Sequence, residues 1–270
     1  MEEMQDQEAP KMSSVENDNE EFELSHTDKL VGVFSEPGVT FRKIAMFPPK
    51  TLDWILPLLI LMIVSILSII VSFSNPAIKQ EMRLEREKQV QKMVDEGKLT
   101  QQQADQQAEV AEKFMDGPFF YITTSLTTII GLFIFFFLAT GVFHLGTKLI
   151  LKGAASYKES MVAYGLPFYI SIIQVIVTLI LTLVMGKQFK STSVAAFIDM
   201  DKQSIVYFIL SKIDVFSIWF YIVAGIGFAK MSKSENTKKY IIVIVSIWLG
   251  FSLLFFALGK FLPFFQNFAG

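Results

Sequence analysis

Apolar positions in this chain are gathered into long blocks. Five stretches, 54–73, 119–145, 161–184, 205–228 and 240–258, are almost continuously hydrophobic, and the first, from Trp54 to Phe73, runs without a single charge. A helix rises about 1.5 Å per residue and a bilayer's hydrocarbon layer is about 30 Å thick, so each block is long enough to cross as a helix. Spanning strands are excluded, because barrel strands alternate apolar and polar positions. The pattern predicts an all-α, polytopic integral membrane protein with five transmembrane helices.

The segments between the blocks have their own patterns. Residues 1–28 hold ten acidic residues and one basic one, and cannot bury enough apolar surface to offset backbone entropy, which predicts a disordered acidic tail containing His26. A secretory signal peptide is not expected, since the start is not basic and no early apolar stretch follows. In 29–53, Leu30, Val33, Phe34, Phe41 and Ile44 recur among charges, with Pro37-Gly38 between two short amphipathic pieces. This lead-in reads as a membrane-surface segment or as a packed linker. The 45 residues from Ser74 to Pro118 carry nine acidic and seven basic side chains. Asn75-Pro76 starts a helix, Gly97 stops it and Thr100 caps a second one, which predicts an extramembrane helical hairpin over 74–118. Its thin stripe of Ile78, Met82, Val90, Met93, Val94, Ala104, Ala108, Ala111, Phe114 and Met115 serves either a partner or burial of the two helices against each other or the membrane surface. Residues 259–270 form a short C-terminal tail.

Composition supports this division. Hydrophobic residues make up 52% and Phe alone contributes 27, against 7 Tyr and 3 Trp, as expected where rings meet hydrocarbon without needing a polar partner. A net charge of −2 gives no nucleic-acid footprint. With no cysteine there is no disulfide framework or thiolate metal site. Basic residues near the block ends set orientation. Arg42, Lys43, Lys50, Lys148, Lys152, Lys158, Lys230, Lys233, Lys238 and Lys239 fall on one side; the other has Lys187, Lys190, Lys202, Lys260 and the seven basic residues diluted through 74–118, so the totals are nearly even and only the density near the membrane discriminates. That places the N-terminus inside and, with five spans, the C-terminus outside.

Polar residues inside the blocks are costly unless satisfied. The candidates are His144 near the inner end of the second block, Gln174 near the middle of the third, and Lys212 with Asp214 in the outer part of the fourth. They form either a polar path for an ion or small molecule, or interhelical hydrogen bonds that fix the bundle. Pro57, Pro167, Gly225 and Gly227 are the candidate helix-shaping residues, and Pro167 frees a carbonyl near the start of the third span. Catalytic constellations are missing: two histidines and no cysteine do not assemble a triad or a zinc site, and no phosphate-binding, metalloprotease or nucleophile-elbow motif is present. Asp199 and Asp201 read as solvated loop carboxylates rather than a metal site. No catalytic, cofactor-binding or metal residue is therefore assigned.

The order Phe34-x-x-Pro37-x-x-x-Phe41-x-x-Ile44, Trp54-x-x-Pro57, His144-Leu145-Gly146-x-Lys148, Tyr157-Lys158-Glu159-Ser160, Tyr164-Gly165-Leu166-Pro167, Ile213-Asp214-Val215-Phe216-Ser217-Ile218-Trp219 and Gly225-x-Gly227 before Ser232-Lys233 resembles prokaryotic members of the Yip-one domain family, from about Lys29 to Leu258. The resemblance implies a five-span integral membrane protein of a prokaryotic cytoplasmic membrane with a cytoplasmic N-terminus. Eukaryotic relatives are associated with Rab-type GTPases and vesicle transport. That partner is not carried over, because the Asp-Leu-Tyr-Gly-Pro block before the first span is absent and Tyr164-Gly165 stands where Gly-Tyr is expected. The expectation is a non-enzymatic membrane-organising, scaffold or trafficking-type component whose partners are the lipid bilayer, membrane proteins or further copies of itself. A small transporter or channel component is the alternative.

Overall fold

The computed structural model describes residues 23–261, and every regular element among them is helical. The helices are α1 (His26–Ser35), α2 (Pro37–Ile44), α3 (Leu52–Ser74), α4 (Pro76–Asp95), α5 (Gln101–Asp116), α6 (Pro118–Leu151), α7 (Tyr157–Gly165), α8 (Phe168–Met185), α9 (Ile205–Ser211), α10 (Val215–Met231) and α11 (Thr237–Gly259), with one 3-10 turn at Val194–Phe197. Local chemistry sets their boundaries. Ser25 with Asp28, Thr100 with Gln103 and Ser156 with Glu159 close reciprocal capping boxes at the starts of α1, α5 and α7. Asn75 caps α4 ahead of Pro76, and Gly97 turns the chain after α4 with φ +70°.

The acidic tail expected over 1–28 is corrected at its end. Residues 25–28 form the cap and first turn of α1, because Ser25 and Asp28 satisfy the orphan amides that open a helix. Residues 1–22 of that expected tail, and 262–270 at the other end, lie outside the described residues.

Four helices or helix pairs are long and apolar enough to cross a membrane: α3, α6, the run from Tyr157 to Met185, and α11. A fifth crossing is formed if α9 and α10, bent by 62°, are taken as one span. The fourth apolar block is thus not one straight helix, because Asp214 caps a new helix where a continuous one was expected. The third block is also divided, at Leu166-Pro167, where proline lacks the amide that would continue the ladder. At 34 residues α6 is about 50 Å long, which exceeds the hydrocarbon thickness, so it projects beyond the layer.

Helix α10 lies at the centre, packed on α2, α7, α8 and α11. Glycine makes this possible at two places. A β-carbon on Gly225 would stand 2.7 Å from the Ile241 Cα, and one on Gly227 would stand 3.0 Å from both the Ala163 carbonyl oxygen and the Phe41 ring. Ala163 is the residue whose carbonyl loses its helical amide to Pro167, so the freed oxygen rests against the bare face of Gly227. Around this seam Phe136, Phe143, Tyr164, Phe168, Phe220 and Phe228 form a continuous aromatic core, with ring centroids 5.3–6.2 Å apart.

The lead-in belongs to this core. Val33, Phe41 and Ile44 are fully or almost fully buried, and α2 packs directly on α10. The packed-linker reading describes that inner face, while Val31, Val39 and Met46 stay exposed on the other. On the opposite end of the spans, α4 and α5 run back from the Gly97 turn and touch through Arg83 and Glu112, 3.2 Å apart. Ile78, Ala104, Ala111 and Met115 are buried there, and Met115 packs with Phe73 and Phe120 where α5 meets the ends of α3 and α6.

Candidate functional site

Three polar stations are built among these helices. The first joins the lead-in to the bundle. Asp53, in the first turn of α3, is buried and receives both of its oxygens' contacts from Lys29 Nζ of α1, at 2.9 and 2.8 Å. Lys29 is equally buried, at 3% exposure, so the two charges neutralise each other away from water. The amide-rich N-terminus of α3 adds to the stabilisation of the carboxylate. One turn earlier on the same face of α1, His26 Nε2 meets the Tyr169 hydroxyl of α8 at 2.5 Å, while Nδ1 faces Asp53 Oδ1 at 3.7 Å. The arrangement suits a neutral ring with its proton on Nδ1 and the tyrosine donating to Nε2. Burial lowers the His26 pKa, Asp53 opposes that shift, and Lys29 adds to it. Glu23 closes the outer rim, bonded to Lys50 at 2.7 Å and 3.7 Å from Lys29, and the lysines hold its carboxyl below the usual range.

The second station sits at the break between α9 and α10. Asp214 is 2% exposed. Its Oδ1 accepts from the amides of Phe216 and Ser217, at 2.9 and 3.1 Å, and so caps α10. Its Oδ2 accepts from the Thr192 hydroxyl at 2.8 Å and from Gln174 Nε2 of α8 at 3.1 Å. Gln174 and Asp214, forty residues apart, are thus brought together, with Thr192 from the preceding loop as the third member. Lys212 does not join them. It ends α9 and lays its ammonium 5.2 Å from the Phe208 ring centroid.

The third station ties α6 to α7. His144 Nδ1 lies 2.9 Å from Ser160 Oγ, whose own proton goes to the Ser156 carbonyl at 3.1 Å, so the ring nitrogen is the donor. The edge of Tyr157 packs against the same imidazole at 5.7 Å between centroids. The four intramembrane candidates therefore occupy separate places, with only Gln174 and Asp214 in contact. Pro57 lies buried in the second turn of α3, and Pro167 forms the α7–α8 joint. Gly225 and Gly227 act by permitting close approach, inside a helix that stays continuous.

Sequence reasoning missed Lys29, Asp53 and Tyr169, although two signals were present. Asp53 stands immediately before a charge-free run, where a carboxylate suits a helix N-terminus, and Ser25-x-x-Asp28 is a capping box. Thr192 carried no such signal, being an ordinary loop residue. Among the described residues no three metal-ligating side chains converge. Among the described residues one cleft lies between α4 and α5 and another between α1 and α2.

Over residues 31–258, which take in α2 through almost all of α11 and the whole of the second and third stations, the sequence matches the family model of the Yip1 domain. The chain belongs to the Yip1 domain family. No curated protein and no solved structure gives a significant match. Membership and apolar helices together make this an integral membrane protein. The match opens within α1, so His26 and Lys29 lie just outside the matched region while Asp53 and Tyr169 lie inside it.

Proposed function

We propose that this Yip1 family member is a non-enzymatic multi-pass protein that organises its membrane surroundings by contact, presenting a different face on each side of the bilayer. The inner face carries α1 and α2, latched by Lys29, Asp53 and His26. The outer face carries the α4–α5 hairpin. With α9 and α10 taken as one bent span the crossings number five and the termini lie on opposite sides, and basic density near the inner ends supports an N-terminus inside and a C-terminus outside. Its partners are the lipid bilayer and other membrane proteins or copies of itself, and its home is a prokaryotic cytoplasmic membrane.

The observation that carries this reading is the closure of Asp214. Both carboxylate oxygens are taken by donors from α8, α10 and the 186–204 loop, and none is presented to a passing ion. A broken helix beside a buried carboxylate is also how transporters build midplane sites, so the bend between α9 and α10 is what favours the transport alternative. Purified protein in sealed vesicles separates the two. Asp214→Asn and Gln174→Leu are expected to lower the thermal unfolding temperature and leave proton and cation leak at the level of protein-free vesicles, as in the unaltered chain. A flux in the unaltered protein that these changes abolish would establish the transport reading instead.

A further inference from the structure

We infer that the inner ends of α6 and α11 form a binding surface for anionic phospholipid headgroups. This rests on the reading that the helices cross a bilayer. Six lysines, Lys148, Lys152, Lys158, Lys233, Lys238 and Lys239, are exposed at this end. Among the described residues none of them has an ion-pair partner, whereas the neighbouring acids are already engaged. Glu159 caps α7, and Glu235 holds Lys230 at 3.1 Å and Arg42 at 3.5 Å.

The two loops that carry these lysines are held side by side. Gly153 follows the C-cap of α6, and a β-carbon there would stand 3.2 Å from Ser232 Oγ and 3.0 Å from the Tyr240 hydroxyl. The 152–156 loop therefore rests on the α10–α11 turn, and Lys152 and Lys233 flank the contact. Both adopt left-handed backbone with φ 54°, which ends a helix abruptly and carries the chain across its end. Ser232 is 7% exposed and its hydroxyl has no hydrogen-bond partner among the described residues, so this floor retains an unused donor there.

Placement relative to hydrocarbon decides the partner. Leu149 and Ile150, between Lys148 and Lys152, are 77% and 62% exposed, and Ile242, just after Lys239, is 55% exposed. The lysines thus emerge beside lipid-facing side chains at the level where acyl chains give way to headgroups. An aqueous macromolecule has no use for that apolar flank, whereas a phospholipid satisfies both parts at once. Its acyl chains cover the leucine and isoleucines while its phosphate neutralises the ammonium groups.

The test is electron spin resonance on the full chain reconstituted in phosphatidylcholine vesicles, comparing spin-labelled phosphatidylglycerol with spin-labelled phosphatidylcholine in the motionally restricted layer. A preference of roughly fivefold or more for phosphatidylglycerol is expected, falling towards unity in high salt. It should also be lost in Lys148→Gln/Lys152→Gln/Lys233→Gln/Lys238→Gln. The variant's thermal transition in pure phosphatidylcholine should match that of the unaltered chain, since the changed groups have no ion pair among the described residues. Equal restriction of the two lipids, or a preference that survives the four substitutions in a normally folded variant, overturns the proposal. So does a preference that appears only after removal of residues 1–22, since the lysines would then be serving that acidic segment. Absence of any restricted lipid overturns the membrane-spanning reading itself and this inference with it.

Discussion

Asp53 and Lys29 neutralise each other in a buried setting, and their value lies in mutual dependence. Asp53→Ala strands a buried ammonium and is expected to cost about 3–5 kcal/mol, read as a lower unfolding temperature in detergent. Lys29→Met with Asp53→Leu should recover most of that loss, because two matched apolar side chains need no compensation. The adjacent His26 supplies a pH dependence of definite sign. Its pKa is depressed by burial below the ordinary 6.5, so the neutral ring is the form the fold prefers. The stabilisation is intact above 6.5 and is lost as pH falls through the lowered value. Of the groups facing the ring, Asp53 of α3 opposes this shift, Lys29 of α1 reinforces it and Tyr169 of α8 is its hydrogen-bond partner. Hydrogen-exchange protection of α1 should decline as pH is taken from about 7 to below 6, and His26→Gln should flatten the profile. This network was only half legible in the sequence. A carboxylate ahead of a charge-free run is visible, but acidic composition upstream hid the cap at Ser25, and no periodicity connects residue 26 with residue 169.

Helices, in contrast, were mostly written into the pattern. Four of the five apolar blocks appear as spans or as a nearly continuous pair, because a run of some twenty apolar residues has few alternatives to a buried helix. The fourth block exposes the limit of that rule. Its hydropathy is continuous enough to read as one helix, yet Asp214 recruits Phe216 and Ser217 amides as a cap, and capping depends on a side-chain geometry that hydropathy does not register. Asp214→Ala should therefore cost about 2–4 kcal/mol, through the lost cap and through Gln174 and Thr192 left without their acceptor. At the seam between α10 and α11, Gly225→Ala should cost about 1–3 kcal/mol, since a methyl group 2.7 Å from the Ile241 Cα forces the helices apart. Gly38→Ala, where an added β-carbon meets nothing within 4 Å, is the matched control and should stay near neutral in the same thermal assay.

At the scale of the molecule, the three polar stations divide the work of holding one bundle. The first station fastens α1 to α3 and α8, the second ties α8 to the start of α10, and the third joins α6 to α7. Between them lies an aromatic and glycine-packed core, and beyond them two unlike faces. The sequence pattern indicated both faces, through the basic loops and the charged 74–118 segment, and left the lead-in open between a membrane-surface segment and a packed linker. Val33 and Phe41 look like any amphipathic surface helix until Gly227 is seen to leave room for the Phe41 ring. The central claim is that these faces lie on opposite sides of the bilayer, and the absence of native cysteine makes it directly testable. Single cysteines at Val39, Gln106, Lys202 and Glu235, all exposed, are to be labelled in intact cells with a membrane-impermeant maleimide. The account predicts that Gln106→Cys and Lys202→Cys react from outside, while Val39→Cys and Glu235→Cys react only after the membrane is opened. Labelling of Val39→Cys and Gln106→Cys from the same side would contradict it.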